Sequence, residues 1–164
     1  MNNSNNYSKP QFVFLILLRV LIGWYFLYEG LSKFLTPNWT SFAYLKDSQG
    51  LFSSLFLQIA ANPVILNIVD YINIYGLTLI GLSLIVGAFV KWGSIGGISL
   101  LALYYLSHPP IIDAHYLLRI DESALWVDKN LIMICALFIV LYFPTSKLIG
   151  LDRYIFKNKR TVNK

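Results

Sequence analysis

The stretch Phe12-Val-Phe-Leu-Ile-Leu-Leu-Arg19-Val-Leu-Ile-Gly23-Trp-Tyr-Phe26-Leu-Tyr-Glu29-Gly30-Leu-Ser-Lys33-Phe34 decides the fold class. It is long and apolar enough for a helix to cross a bilayer, which takes about 20 mostly apolar residues. It nevertheless carries Arg19, Glu29 and Lys33. An ionisable group at the centre of the hydrocarbon costs about 2.5 to 3.5 kcal/mol on insertion scales, so it persists where it is paired or functional. The stretch follows Lys9, but it is too long for a signal peptide and ends without a small-residue cleavage site, so it is read as a retained span.

Working outward, three more apolar segments follow, Pro63 to Phe89, Trp92 to Ser107 and Trp126 to Phe143. Hydrophobic residues make up 57% of the chain and charged residues 13%, against about 45 to 50% and about 25% in soluble domains. The pattern predicts an all-α integral membrane protein with a single four-helix transmembrane bundle, with spans at about 12–34, 63–89, 92–107 and 126–143. A short cytoplasmic tail, 1–11, precedes the bundle and a basic cytoplasmic tail, 144–164, follows it. No internal repeat or low-complexity segment is apparent.

The net charge of +5 comes from basic residues beside spans and in the tail, which points to membrane topology and away from nucleic acid. With four spans, Lys9, Lys91, Lys147, Arg153, Lys157, Lys159, Arg160 and Lys164 share one side. The opposite loops hold Lys46 and Arg119, apart from Lys33 and Lys129 at span ends. The bias predicts a multi-pass protein of the inner (cytoplasmic) membrane with both termini cytoplasmic and a tight inner turn around Lys91 to Gly93. The tail from Asn158 onward is expected to lack order. In the first outer loop, Pro37 marks a first helical turn ahead of Trp39, Phe42 and Leu45. After a break at Gly50, Leu51, Phe52, Leu55, Phe56 and Ile59 form the apolar side of an amphipathic helix lying on the membrane or capping the bundle. Asn62 and Pro63 read as the N-cap and first residue of span two. The second outer loop starts at Pro109-Pro110 and runs to Leu125.

In span one, Arg19, Gly23, Phe26, Gly30 and Lys33 fall within about 40° of a common line at 100° per residue. Gly23 and Gly30 remove bulk between two cations, so a neighbouring helix or a flat ligand can approach the backbone there. Glu29 precedes Lys33 by four residues, the order that favours an ion pair. Span two opens with Asn67, Asp70 and Asn73 on one face, span three ends with Tyr104, Tyr105 and His108, and span four starts with Trp126, Asp128, Lys129 and Asn130. Polar groups of all four spans are thus expected to converge near the outer surface, with only Arg19 deeper. The structural alternatives stay open: Lys33 and Lys129 snorkelling, Glu29–Lys33 as a purely structural pair, Arg19 locking the bundle, and Tyr104, Tyr105, Trp92 and Trp126 as an aromatic belt.

Other chemistries are disfavoured. Cys135 is the sole cysteine and reads as a small core residue, which excludes an internal disulfide or a CxxC relay. His108 and His115 do not suit a bis-histidine haem, because His115 falls in a loop. No metal site is assigned, since Asp113, His115, Asp121 and Glu122 read as a solvated loop.

The run Arg19-Val-Leu-Ile-Gly23 followed by Glu29-Gly30-Leu-Ser-Lys33 resembles the first-helix signature of DoxX-like membrane proteins. The resemblance continues through Gly81 to Lys91, Tyr104-Tyr105 to Pro109-Pro110, and Val127-Asp128-Lys129-Asn130-Leu131. Length and the long first outer loop look most like the DoxD-type branch, the membrane subunit of thiosulfate:quinone oxidoreductase. Where the related pattern often has a histidine before the fourth-helix Asp-x-Asn, this chain has Leu125 and Trp126.

The resemblance implies a quinone as substrate and a dianionic sulfur donor arriving from outside. Arg19, Lys33, Arg119, Lys129, Asn130, Asp70 and His108 are the candidate substrate-binding residues. Gly23, Phe26 and Gly30 are the candidate quinone groove, with Trp24 and Tyr28 nearby, and Glu29 and Asp128 the candidate proton carriers. No bound redox cofactor is identifiable, so transfer is direct or depends on a soluble or membrane-associated partner subunit. A homo-oligomer is also left open. The alternative is a non-catalytic anchor or assembly partner for a soluble redox protein. A small-solute transporter ranks third, because inverted repeats and broken half-helices are missing.

Overall fold

The computed structural model describes residues 7–49, 51–110 and 126–155. Among them the chain is all-helical, with helices α1 (Lys9–Leu35), α2 (Phe42–Lys46), α3 (Ser53–Ala61), α4 (Pro63–Val86), α5 (Val90–Ser107), α6 (Lys129–Tyr142) and α7 (Asp152–Ile155). A 3-10 turn, Thr145–Lys147, lies between the last two. The four long helices pack as a ring in the order α1, α4, α5, α6. Three segments are long and apolar enough to cross a membrane, Lys9–Leu35, Pro63–Val86 and Lys129–Lys147. Helix α5, the expected third span, has 18 residues, enough for about 27 Å, but its glycines, serines and tyrosines dilute its apolar content.

Local chemistry fixes the helix ends. Ser8 and Gln11 form a reciprocal capping box that opens α1. Asn62 Oδ1 accepts from the amides of Val64, 3.0 Å, and Ile65, 3.3 Å, ahead of Pro63, as the sequence suggests for an N-cap. Gly87, left-handed at φ 73°, ends α4. The turn to α5 therefore spans Gly87 to Phe89, and Lys91 to Gly93 lie inside the first turns of α5 rather than in the connection. Asp128 accepts from Leu131 N at 2.9 Å and starts α6 three residues later than the apolar run begins.

In lipid the outside of the bundle is as apolar as its inside, so packing rather than water exclusion holds helices together. Helices α1 and α4 achieve this by backbone approach. A Cβ on Gly23 would stand 2.9 Å from both Leu84 Cβ and Ile85 Cγ1, and one on Gly30 would stand 2.6 Å from Thr78 N. Gly81 of α4 meets the backbone of Leu27 in the same way. The core then closes with Ile22 and Phe26, Leu77 and Leu84, Leu101 and Leu137. Phe26 lies over Gly97 of α5, where an added Cβ would be 3.2 Å from its ring. Cys135, expected in the core, is exposed on the outer surface of α6.

The first connection caps one end of the bundle. Its first helix starts at Phe42 instead of Pro37, because Asp70 Oδ1 takes both the amide and the hydroxyl of Ser41, at 2.8 and 2.5 Å, and fixes the chain there. Leu45, Phe56 and Ala60 form a small apolar core against α4, so α3 buries Phe56 of the expected apolar side, while Leu51 is 96% exposed. At the opposite end, the segment expected as a tail folds back on the bundle: Leu151 N donates to Val86 O, 3.4 Å, and Asp152 N to Gly87 O, 2.8 Å. The expected lack of order from Asn158 onward falls outside the described residues.

Candidate functional site

Polar side chains gather at two opposite ends of the bundle. At the end formed by the start of α1 and the segment after α6, Arg19 is 2% exposed. Its Nη1 donates to Thr145 Oγ1, 3.2 Å, and its Nη2 to the Ile149 carbonyl, 3.1 Å. Its Nε is buried without a hydrogen-bond partner, and Asp152 lies close enough to act on it electrostatically. The Asp152 carboxylate accepts from the amides of Phe89, 2.7 Å, and Val90, 3.3 Å, and from Ser146 Oγ, 2.7 Å. A single acid therefore caps α5, holds the turn after α4 and offsets the buried guanidinium.

At the other end, under α2, groups from five helices converge. Lys33 Nζ lies 2.6 Å from Glu29 Oε2 and 5.6 Å above the Trp39 ring. Tyr104 OH of α5 donates to Asn73 Oδ1 of α4, and Asn73 Nδ2 donates to Val69 O at 3.0 Å. Glu29, Tyr25 and Tyr44 all lie within electrostatic reach of Tyr104. Tyr44 of α2 stacks on His108 with centroids 4.0 Å apart. Asp47 Oδ2 stands 3.8 Å from His108 Nε2, and His108 Nδ1 lies 3.0 Å from Ser107 Oγ. From α6, Asp128 is 3% exposed and accepts from Asn130 Nδ2 at 2.8 Å, while Lys129 Nζ sits 5.9 Å over the Tyr25 ring.

The sequence-derived candidates divide accordingly. Glu29, Lys33, His108, Asp128, Lys129 and Asn130 come together at the α2 end. Arg19 stands apart at the opposite end, as its depth in span one suggests. Asp70 also lies at the α2 end, where its Oδ1 accepts from Ser41, and Asn67 is exposed. Arg119 lies outside the described residues, as do Asp113, His115, Asp121 and Glu122. The face of Gly23 and Gly30 is taken up by α4, and Phe26, 1% exposed, is part of the core. Of the two occupants that this glycine face allows, the structure places the helix there, and no flat ring fits between backbones this close. Trp24 and Tyr28, by contrast, are 61% and 63% exposed on the outer side of α1.

Sequence reading missed the partners rather than the anchors. Tyr104 is drawn inward to Asn73 instead of forming an aromatic belt, and the three-residue spacing of Asp70 and Asn73 was the available signal. Tyr44 and Asp47 gave none, because their roles depend on where α2 docks. Asp152 was visible only as the one acid in a basic tail. Among the described residues, no group of three or more His, Cys, Asp or Glu could hold a metal. A crevice of about 520 Å³ between α4 and α5, lined by Gly76, Ser83, Phe89, Trp92 and Gly93, opens toward the Arg19 end and away from the α2-end cluster.

Chemically, the α2-end cluster is a partly buried set of carboxylates, ammonium groups and phenols beside exposed aromatic rings, suited to hydrogen bonding and proton transfer. No curated protein and no solved structure matches the chain. The DoxX family profile matches residues 14–109, which include Arg19, the glycine-packed α1–α4 pair, the α2 cap and His108, and with more than half of its length covered the chain belongs to the DoxX family.

Proposed function

We propose that this DoxX protein is the membrane subunit of a quinone-linked oxidoreductase, working through the α2-end cluster, with thiosulfate as the donor. The observation that carries the reading is the meeting of Glu29, Lys33, Tyr104, Asp128 and Lys129 from three helices at one end, on a bundle whose first helix also exposes the rings of Trp24 and Tyr28. A quinone entering from lipid stacks on these rings, one helical turn apart, rather than in the glycine face. Two thiosulfates, joined through a new S–S bond as tetrathionate, release one electron each, which balances the two-electron, two-proton reduction of quinone to quinol, and Glu29, with Asp128 as the second carboxylate, delivers protons. The dianionic donor is met by the cations Lys33, Lys129 and Arg119.

The topology belongs to the same proposal. Helix α5 is the third of four spans, between α4 and α6, both termini are cytoplasmic, and the α2 end faces outward. Lys9, Lys91, Lys147 and Arg153 are exposed at the end opposite α2, which supports this orientation.

One observation favours the anchor reading. Arg19, Glu29, Asp70 and Asp128 all bond to other groups of the chain, as a purely structural role demands. Purified protein given thiosulfate and a short-chain quinone separates the two. Quinol formation, with Lys129→Ala and Arg119→Ala weakening donor use and Glu29→Gln lowering turnover, is the expected result. No binding and no turnover, even with a soluble redox partner supplied, ends the oxidoreductase reading, and co-purification of that partner without turnover leaves the anchor.

A further inference from the structure

We propose that the bundle end bearing Lys91, Lys147 and Arg153 is a docking surface for anionic phospholipid headgroups, held in shape by Arg19 and Asp152. The surface rests on the chain crossing a bilayer and not on its redox chemistry. Lys9, Lys91, Lys147 and Arg153 are all exposed there. The only acid at this end among the described residues is Asp152, 5% exposed, whose oxygens are taken by two backbone amides and Ser146. The accessible charge of this end is therefore of one sign. Arg19, the fifth cation, is buried and bonded inward, so it shapes the surface without forming part of it.

The apolar groups around these cations set the depth. Leu148, Ile149 and Leu151 are 48%, 54% and 46% exposed, and Tyr154 is 71% exposed, beside Lys147 and Arg153. Basic side chains between apolar and aromatic ones suit the headgroup boundary, where rings and aliphatic stems sit in the acyl edge and cations meet phosphate. A soluble acidic partner would give the exposed leucines nothing to cover them. Because the segment is tied to the ends of α4 and α5 through Leu151, Asp152 and the Gly87 turn, its cations are held at the level where the spans leave the hydrocarbon.

Lipid selectivity tests this. Full-length protein is reconstituted in phosphatidylcholine bilayers containing spin-labelled phosphatidylglycerol or spin-labelled phosphatidylcholine. The association constant of each is read from its immobilised fraction. At low ionic strength, phosphatidylglycerol should be preferred at sites facing these cations, by about five-fold per cation, and the preference should collapse near 1 M salt, where the screening length is about 3 Å. The variant Lys91→Gln/Lys147→Gln/Arg153→Gln should lose most of it. A second variant, with Lys157, Lys159, Arg160 and Lys164 all changed to Gln, should keep most of it. Equal association of the two lipids with the unaltered protein overturns the proposal, as does full preference retained by the first variant or lost only in the second.

Discussion

Replacing Gly30 by alanine tests whether α1 and α4 are held by backbone contact. The new Cβ would fall 2.6 Å from Thr78 N and 3.0 Å from Thr78 Cα. Ordinary carbon contacts begin at about 3.5 Å, so α4 must retreat by roughly 1 Å, because backbone cannot rotate away as a side chain can. A gap of that size forfeits a quarter to a half of the dispersion energy of the contacts it opens, and Gly23 and Gly81 share the same seam. Overpacking of this kind costs about 1 to 3 kcal/mol, offset by at most about 1 kcal/mol from alanine's better helix propensity. Gly76→Ala is the control, because its Cβ would meet nothing closer than Leu100 Cδ1 at 3.6 Å. Thermal unfolding in detergent should show Gly30→Ala destabilised by about 1 to 2 kcal/mol and Gly76→Ala unchanged or slightly stabilised. Equal behaviour of the two variants would refute the seam.

Two further outcomes follow from the ends of the bundle. Asp152→Ala removes the acceptor for two amides at the start of α5 and the acid nearest Arg19, so it should lose at least the 0.5 to 2 kcal/mol of a lost cap, with Asp152→Asn intermediate; unchanged unfolding in both would show that the folded-back segment contributes nothing. In a Cys135→Ser background, a single cysteine at Ser53 should react with an impermeant maleimide in intact cells and one at Asn158 should not, and the reverse pattern would invert the orientation.

What the sequence made legible is what periodicity and composition control: four long helices, their polar ends, the Glu29–Lys33 pair and the Asn62 cap. Two groove occupants were open at Gly23 and Gly30, because the absence of a side chain states that something comes close without stating what. The α2 end was readable as a convergence but not as contacts, since Tyr44 and Asp47 acquire meaning only from the docking angle that Asp70 sets through Ser41. Past Phe143 the pattern was least informative. Pro144, the lysines and Gly150 read as a tail, yet Thr145, Ser146 and Asp152 are all buried. The energetic reason for that burial, a cation in the first helix lacking partners, lies more than a hundred residues upstream.

That distance orders the making of the protein. Arg19 enters the membrane with the first helix, while its hydrogen-bonding groups at Thr145 and Ile149 follow 126 and 130 residues later. Until that segment follows, neither hydrogen bond can form, and a chain halted after Tyr142 would lack both acceptors. The guanidinium of α1 thereby gains its two acceptors only after α4, α5 and α6 have followed it in the chain.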